Sequence, residues 1–191
     1  MSSLINVSVL AIFLLAFFSA TSEPDSPKLL DKACAWGSTD WNSSFCLDVL
    51  KSSPLIISAE DLLQLTLSII ETGLINATRT QIYIGEKLKG NIQVIGLELK
   101  SGLGQCLNLY GQIIGLYKSA LVHVEKHKLY DVASFEFSIA ANNAEYCQGW
   151  LLLSGILDAD ISSGNKFIKY LSLTGYTVVN DLMISDWLIK K

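Results

Sequence analysis

Apolar residues recur at alternating steps of four and three along most of the chain, and this spacing predicts helices that pack side by side. The four series are Leu63, Leu67, Ile70, Leu74, Ala77 and Ile84; Leu103, Leu107, Tyr110, Ile114, Tyr117, Leu121 and Val124; Phe135, Ile139, Asn142, Tyr146, Gly149 and Leu153; and Ile168, Leu171, Gly175, Val178, Leu182, Ser185 and Ile189. No alternating strand pattern of useful length competes with them. We therefore expect an all-α protein, an antiparallel four-helix up-and-down bundle.

Helix-ending residues divide the four series. Pro54 precedes the first series, and Ser58 followed by Asp61 resembles a capping box at its start. Glycines between the first two series predict an irregular start for the second helix; they are Gly85, Gly90, Gly102 and Gly104. The polar segment 158–164 predicts a break before the fourth helix.

The N-terminus has the pattern of a signal peptide. The apolar run from Val9 to Phe18 is too short to span a hydrocarbon core of about 30 Å, and small residues follow it. Ala20 and Ser22 suit cleavage after Ser22, so we expect residues 1–22 to be removed and the mature chain to be secreted without a membrane anchor. The net charge of −4 and the absence of Lys or Arg runs argue against nucleic acid and anionic membranes as partners.

All four cysteines, Cys34, Cys46, Cys106 and Cys147, lie in the expected mature chain. An even number of cysteines in an oxidising compartment indicates disulfides. The predicted turn at 127–129 lies midway between Cys106 and Cys147, so an antiparallel hairpin brings these two residues to the same height. Cys34 and Cys46 remain as the second pair and close a short loop.

The segment linked by the expected disulfide Cys34–Cys46 lies before the bundle and forms a separate N-terminal unit. We expect a helical hairpin over residues 23–54 and the bundle over 55–191, together forming one domain. Two N-x-S/T sites lie in the mature chain, and Asn42 and Asn76 would carry glycan if they are exposed.

Several short motifs occur in a characteristic order along the mature chain. They are Phe45-Cys46-Leu47 followed by Ser52, Ser53 and Pro54; Cys106-Leu107-x-Leu109-Tyr110; Lys128-x-Tyr130-Asp131-Val132-Ala133; Ala140 and Ala141; Cys147 with Trp150; and Asn165 with Leu171-Ser172. In this order the set resembles the plant invertase and pectin methylesterase inhibitor family, and the resemblance covers essentially the whole mature chain.

The resemblance implies the same fold, and the same pairing of the first cysteine with the second and the third with the fourth. It implies a protein of the apoplast and cell wall, or of the vacuole, that binds one target enzyme in a 1:1 complex and occludes its active site. Such a protein is not itself an enzyme and needs no cofactor.

The resemblance leaves three functions open. In the family that this chain resembles, the invertase-directed branch has Pro-Lys-Phe at the start of its third helix. This chain has Tyr130, Asp131 and Val132 at that place. This difference favours pectin methylesterase as the target over acid invertase. The glycine-rich second helix favours a third alternative, a secreted binding protein without inhibitory activity.

The sequence offers little for catalysis or metal binding. His123 and His127 are four residues apart on a predicted helix but lack an obvious third ligand, so we expect both to be solvated. Asp158, Asp160 and Ser162 match the start of a calcium loop, but the positions of its glycine and its bidentate glutamate are not matched. No G-x-S-x-G motif occurs. We therefore expect no catalytic residue and no metal.

Two groups of residues are candidates for contact with a partner. A second apolar line on the second helix consists of Leu109, Ile113, Leu116 and Ala120. This line either faces a third helix of the bundle, which is the favoured interpretation, or forms an exposed docking patch through Ile113 and Leu116. The other candidate contact is the start of the third helix, with Lys128, Tyr130 and Asp131. Tyr130 is there either an exposed anchor or a residue that packs against the turn.

Overall fold

The computed structural model describes residues 26–35, 42–90 and 97–189. The described chain is helical without strands, and its helices are α1 Ser26–Cys34, α2 Ser43–Lys51, α3 Pro54–Ile57, α4 Leu62–Gly90, α5 Leu97–Val122, a π-helical turn His123–His127, α6 Tyr130–Leu153 and α7 Ala159–Ile189. The expected signal peptide, residues 1–22, lies outside the described residues. Among the helices described, none combines the length and apolar character that crossing a bilayer requires.

Helices α4 to α7 form the antiparallel four-helix bundle that the apolar spacing predicts. As residue numbers increase along one helix, the residues that they contact on the next helix have decreasing numbers, which is the sign of antiparallel packing. Between α5 and α6 the pairs are Cys106 with Cys147 and Gln112 with Asn143, and His123 of the π-helical turn after α5 pairs with Glu136 of α6. Between α6 and α7 they are Gln148 with Asn165 and Ser134 with Asn180. Helix α4 packs against both α5 and α7, so the bundle is closed.

Both predicted disulfides are present. The Cys34–Cys46 bridge joins α1 to α2 with a Cα separation of 5.8 Å, and the Cys106–Cys147 bridge joins α5 to α6 with a Cα separation of 4.6 Å. The expected N-terminal hairpin is therefore α1 and α2, and the fold class is confirmed.

The α1–α2 hairpin packs on α7. The ring of Phe45 meets the ring of Tyr170 edge-on at a centroid distance of 4.7 Å, and the Lys32 ammonium lies 3.1 Å from the Asp181 carboxylate. The short helix α3 then connects the hairpin to the bundle.

Two aromatic rings fill the middle of the bundle. Tyr117 and Phe137 are in edge-to-face contact at 5.8 Å, and both are fully buried. Gly73 of α4 and Gly175 of α7 lie directly against these rings, and a Cβ at either glycine would overlap the ring that it faces. The two glycines thus let the outer helices approach the central aromatic pair closely.

Two predicted helix boundaries are wrong. Asp61, not Ser58, caps α4, because its Oδ1 accepts a hydrogen bond from the Gln64 amide at 2.7 Å. Ser58 instead ends α3. Helix α7 begins at Ala159, so only 154–158 separate α6 from α7 and most of the predicted polar break is helical. Helix α5 already includes Gly102 and Gly104, but residues 91–96 before it lie outside the described residues, so the irregular start of the second helix stays a prediction.

The third apolar series identifies the helix correctly but the wrong face of it. Phe135, Tyr146 and Leu153 are exposed. The buried face of α6 consists of Ala133, Phe137, Ala140, Ala144, Cys147 and Leu151. The smaller side chains point inward because α6 must approach its neighbours closely, as the 4.6 Å Cα separation of Cys106 and Cys147 shows.

Candidate partner-binding surface

An apolar stripe runs along the solvent side of α6. Phe135, Tyr146 and Leu153 are 65%, 61% and 82% exposed, and Ile139 between them is half-buried. At a rise of about 1.5 Å per residue, the stripe is about 27 Å long. We refer to Phe135, Ile139, Asn142, Tyr146 and Leu153 as the outer stripe. A row of large apolar side chains in water is costly and is typical of a protein-binding surface.

More apolar surface flanks the C-terminal end of the outer stripe. Trp150, Leu152 and Leu157 are all exposed around the α6–α7 turn. Aromatic side chains supply most of the binding free energy at many interfaces, because they bury a large area with little loss of rotamer entropy. The C-terminal half of α6 and the turn after it therefore offer several anchors for a partner.

Of the three residues predicted as a contact at the start of α6, two are exposed and one is buried. Lys128 ends the π-helical turn in a left-handed conformation, with φ at 53°, and is exposed. Asp131 is also exposed and lies one turn before Phe135 on the same side of α6. Tyr130 is only 6% exposed, so its interpretation as an exposed anchor is wrong and the alternative, packing at the turn, holds. Its ring packs into the core where the π-helical turn meets α6.

The second apolar line of α5 faces other helices. Ile113 is 0% exposed, Leu116 is half-buried, and Leu109 and Ala120 are buried. Helix α5 lies between α4 and α6, so both of its apolar lines are covered. The favoured interpretation of this line thus holds, whereas the alternative of an exposed patch through Ile113 is wrong.

A buried polar chain crosses the bundle near the start of α7. The Tyr110 hydroxyl donates to Asn165 Oδ1 at 2.9 Å, and Asn165 Nδ2 donates to Gln148 Oε1 at 3.1 Å. Burial raises the pKa of Tyr110 well above its ordinary value of 10.0, so its hydroxyl stays a donor. The chain is fully hydrogen-bonded and holds α5, α6 and α7 together.

A groove of about 370 Å³ lies beside that chain, between α6 and α7. Two lysines line it, and each already has a partner. The Lys169 ammonium lies 3.0 Å from the Glu145 carboxylate, and the Lys166 ammonium lies 3.9 Å from the ring centroid of Phe45. We interpret the groove as the joint between the bundle and the α1–α2 hairpin.

The two histidines differ in their surroundings. His127 is exposed as expected, but His123 is partly buried, and its Nδ1 lies 3.0 Å from Glu136 Oε2. The expectation that both are solvated is therefore wrong for His123, which joins α6 through its Glu136 contact. Across the described ranges, no three His, Cys, Asp or Glu side chains are grouped as metal binding would require.

The two glycosylation candidates also differ. Asn42 is exposed and caps α2 with its Oδ1, which accepts from the Phe45 amide at 2.9 Å. Because a glycan attaches to the other side-chain atom, Nδ2, this cap leaves the attachment atom free. Asn76 is half-buried within α4, and its Nδ2 donates to the Thr72 carbonyl at 2.9 Å.

The elements together define a class of fold: a closed antiparallel four-helix bundle with a disulfide-linked helical hairpin at its N-terminal side. No protein-family model matches this chain, and no curated protein sequence matches it.

Solved structures do match, and both of those compared are pectin methylesterase inhibitors from Arabidopsis. A mutant form A superposes with a TM-score of 0.68 at 20% identity, covering 83% of this chain and 97% of that one. A second crystal structure gives a TM-score of 0.59 at 20% identity, covering 80% of this chain and 95% of that one. The chain therefore has the fold of these inhibitors.

Proposed function

We propose that this protein is an enzyme inhibitor that docks through the outer stripe and blocks the active-site cleft of its target. The outer stripe carries the proposal, because a rigid helix that presents Phe135, Tyr146 and Leu153 to solvent has anchors already in place for a partner. The shared fold supports a pectin methylesterase as the target, since both matched structures are inhibitors of that enzyme.

Steric occlusion requires only a stable complex. A standard interface buries about 1,600 Å² in total, and a single exposed helix face with its flanking turn can supply one side of it. Because the outer stripe lies on a closed, disulfide-linked bundle, little conformational entropy is lost on binding. Lys128 and Asp131 would lie at the rim, where charges influence the association rate more than the affinity.

The site of action belongs to the same proposal. The protein is secreted and acts in the apoplast or cell wall as a 1:1 partner of its target. The two disulfides support this, because such bridges persist in oxidising compartments outside the cytosol.

The direct test is an inhibition assay with the purified, oxidised protein. It is added to a panel of pectin methylesterases and acid invertases, near pH 5 and near pH 7. Inhibition of at least one pectin methylesterase supports the proposal. Inhibition of invertase alone would reassign the target, and no effect on either class would favour a secreted binding protein without inhibitory activity.

A variant of the outer stripe tests the docking surface itself. We expect Tyr146→Ala to weaken inhibition by about 30-fold or more, corresponding to about 2 kcal/mol for a buried aromatic anchor. Tyr176→Ala is the matched control, because Tyr176 is also exposed but lies on α7 outside the stripe. Equal inhibition constants for the two variants, with unchanged circular dichroism, would show that the stripe is not the docking surface.

A further inference from the structure

A cleft of about 530 Å³ opens on the side of the bundle formed by α4 and α7. The connector between α2 and α3 forms one wall, α4 forms the other, and Phe167 of α7 lies at its base. Its volume falls within the range of about 300–1,000 Å³ that is typical of small-molecule sites. None of its lining residues belongs to the outer stripe, so it is independent of the proposed inhibitory function.

The cleft contains the only arginine of the protein. Arg79 lines it together with Thr72, Ile75 and Asn76, which share one face of α4 because they are spaced by three, four and seven residues. Arg79 forms no ion pair with any described residue, although the protein has a net charge of −4. A guanidinium without a partner in a cleft is well suited to bind a carboxylate with two parallel hydrogen bonds.

Hydroxyl groups line the deep side of the cleft. Ser53 and Thr72 are buried, and their side-chain oxygens lie 2.9 Å apart. Two hydroxyls have two protons, and their mutual hydrogen bond uses one, so one proton remains for a ligand oxygen. Asn76 donates one of its two amide protons to the backbone carbonyl of Thr72. Its Oδ1 remains free to accept a hydrogen bond from a ligand hydroxyl.

Apolar side chains complete the cleft. Ile75 and Leu55 are exposed at its mouth, and Phe167 is half-buried. A sugar ring has apolar C–H faces and polar edges, so it fits a site that has one cation, hydroxyl donors, an amide acceptor and apolar surface. A phosphate would leave the apolar part of the cleft unused and would meet only one positive charge.

We propose that this cleft binds a uronate, a sugar ring with one carboxylate, with Arg79 on the carboxylate and Asn76, Ser53 and Thr72 on the ring hydroxyls. The proposal has a consequence for Asn76. A glycan would replace the Nδ2 proton that Asn76 does not donate to Thr72, and the attached sugar would occupy the cleft, so bound uronate and a glycan at Asn76 exclude each other.

The test is a titration of the ¹⁵N-labelled full mature chain, made in a host that does not attach N-glycans. The probes are galacturonate, its methyl ester, galactose and inorganic phosphate, each at up to about 50 mM. We expect galacturonate to shift the signals of the Asn76 side chain and the Arg79 Nε–H. Its methyl ester and galactose should have affinities lower by about tenfold or more.

Substitutions separate the charge from the fold. Arg79→Gln should weaken galacturonate binding about tenfold or more, whereas Lys89→Gln, an exposed lysine on the same helix outside the cleft, should leave it unchanged. An equal response to galacturonate and its methyl ester, equal effects of the two variants, or no shift at all would overturn the proposal. Tighter binding of phosphate at the same residues would also overturn it, because the site would then be a simple anion site. The cleft and the outer stripe share no residue. A failure of the uronate titration therefore leaves the proposed inhibitory function standing, and a failure of the inhibition assay leaves the proposed uronate site standing.

Discussion

Asp158 connects the start of α7 to α4 with a single carboxylate. Its Oδ1 accepts from the amides of Asp160 and Ile161 at 3.1 and 3.0 Å, which caps the helix. Its Oδ2 lies 3.1 Å from the Lys87 ammonium. Desolvation raises the pKa of Asp158, but the hydrogen bonds from Ile161, Lys87 and Asp160 outweigh it and hold the pKa below its ordinary value of 3.8.

A lowered pKa makes the contribution of Asp158 depend on pH. Folding favours the charged form, so the contribution is complete above the unfolded pKa of about 4 and is lost as the pH falls through the folded pKa. We expect Asp158→Ala to lower the free energy of unfolding by about 1–2 kcal/mol at neutral pH, and by clearly less near pH 2. Urea unfolding at both pH values measures the difference.

Asp158→Asn is the matched control for this prediction. Asparagine also caps helices well, but it has no charge for Lys87. We expect it to lose less stability than Asp158→Ala at neutral pH. The opposite result is that wild type and Asp158→Ala differ in free energy of unfolding by the same amount at both pH values. That result would show that the carboxylate charge contributes nothing to stability.

At the scale of single helices, the glycines of α4 have opposite roles. Gly73 lies against the fully buried Tyr117 ring, where a Cβ would overlap it. Gly85 has ordinary space, since the nearest atom to a Cβ there is Leu107 Cδ1 at 3.7 Å. The same substitution in one helix should therefore change stability in opposite directions.

We expect Gly73→Ala to lower the free energy of unfolding by about 1–3 kcal/mol, because the Tyr117 ring must move within a packed core. Gly85→Ala should raise it by about 0.5–1 kcal/mol, because alanine loses less backbone entropy in a helix. Denaturant unfolding of both variants measures the change. The packing explanation fails if Gly73→Ala is as stable as Gly85→Ala.

Helix α6 shows what an apolar pattern leaves undetermined. Both of its sides have apolar residues at helical spacing, so the spacing alone does not identify the buried side, and the predicted series follows the outer one. Cys147 contained the missing information: its bridge to Cys106 requires position 147 to face α5, and Ala140, Ala144 and Leu151 share that side. Combining the cysteine with the helical period would have identified the outer stripe from sequence.

At the scale of the whole molecule, fold class and disulfide pairing could be predicted because both follow from spacing along the chain. The Arg79 cleft could not, since it needs Ser53, Thr72 and Phe167 to meet from separate elements. The sequence left the exposure of Tyr130 undecided for a similar reason: it depends on the geometry of the π-helical turn before it. Local periodicity gives helices and register, whereas clefts depend on the final packing.

The two disulfides should contribute unequally to the stability of the whole chain. The Cys106–Cys147 bridge spans 41 residues and the Cys34–Cys46 bridge spans 12. Loop-closure entropy then predicts losses of about 4 and about 3 kcal/mol when each pair is replaced by alanines. Denaturant unfolding of the two double variants tests the order, and a larger loss from the Cys34–Cys46 pair would contradict it.

The buried tyrosines of α5 have an optical consequence. Burial raises the pKa of both Tyr110 and Tyr117 well above 10.0, and the hydroxyl of Tyr117 is hydrogen-bonded to Ser172 at 2.8 Å. In the closed bundle, both hydroxyls therefore lose their protons and give the phenolate absorbance band only at a pH well above 10. Opening of the bundle in alkaline solution would therefore add the phenolate absorbance of these two residues to the spectrum, an increase that needs no label.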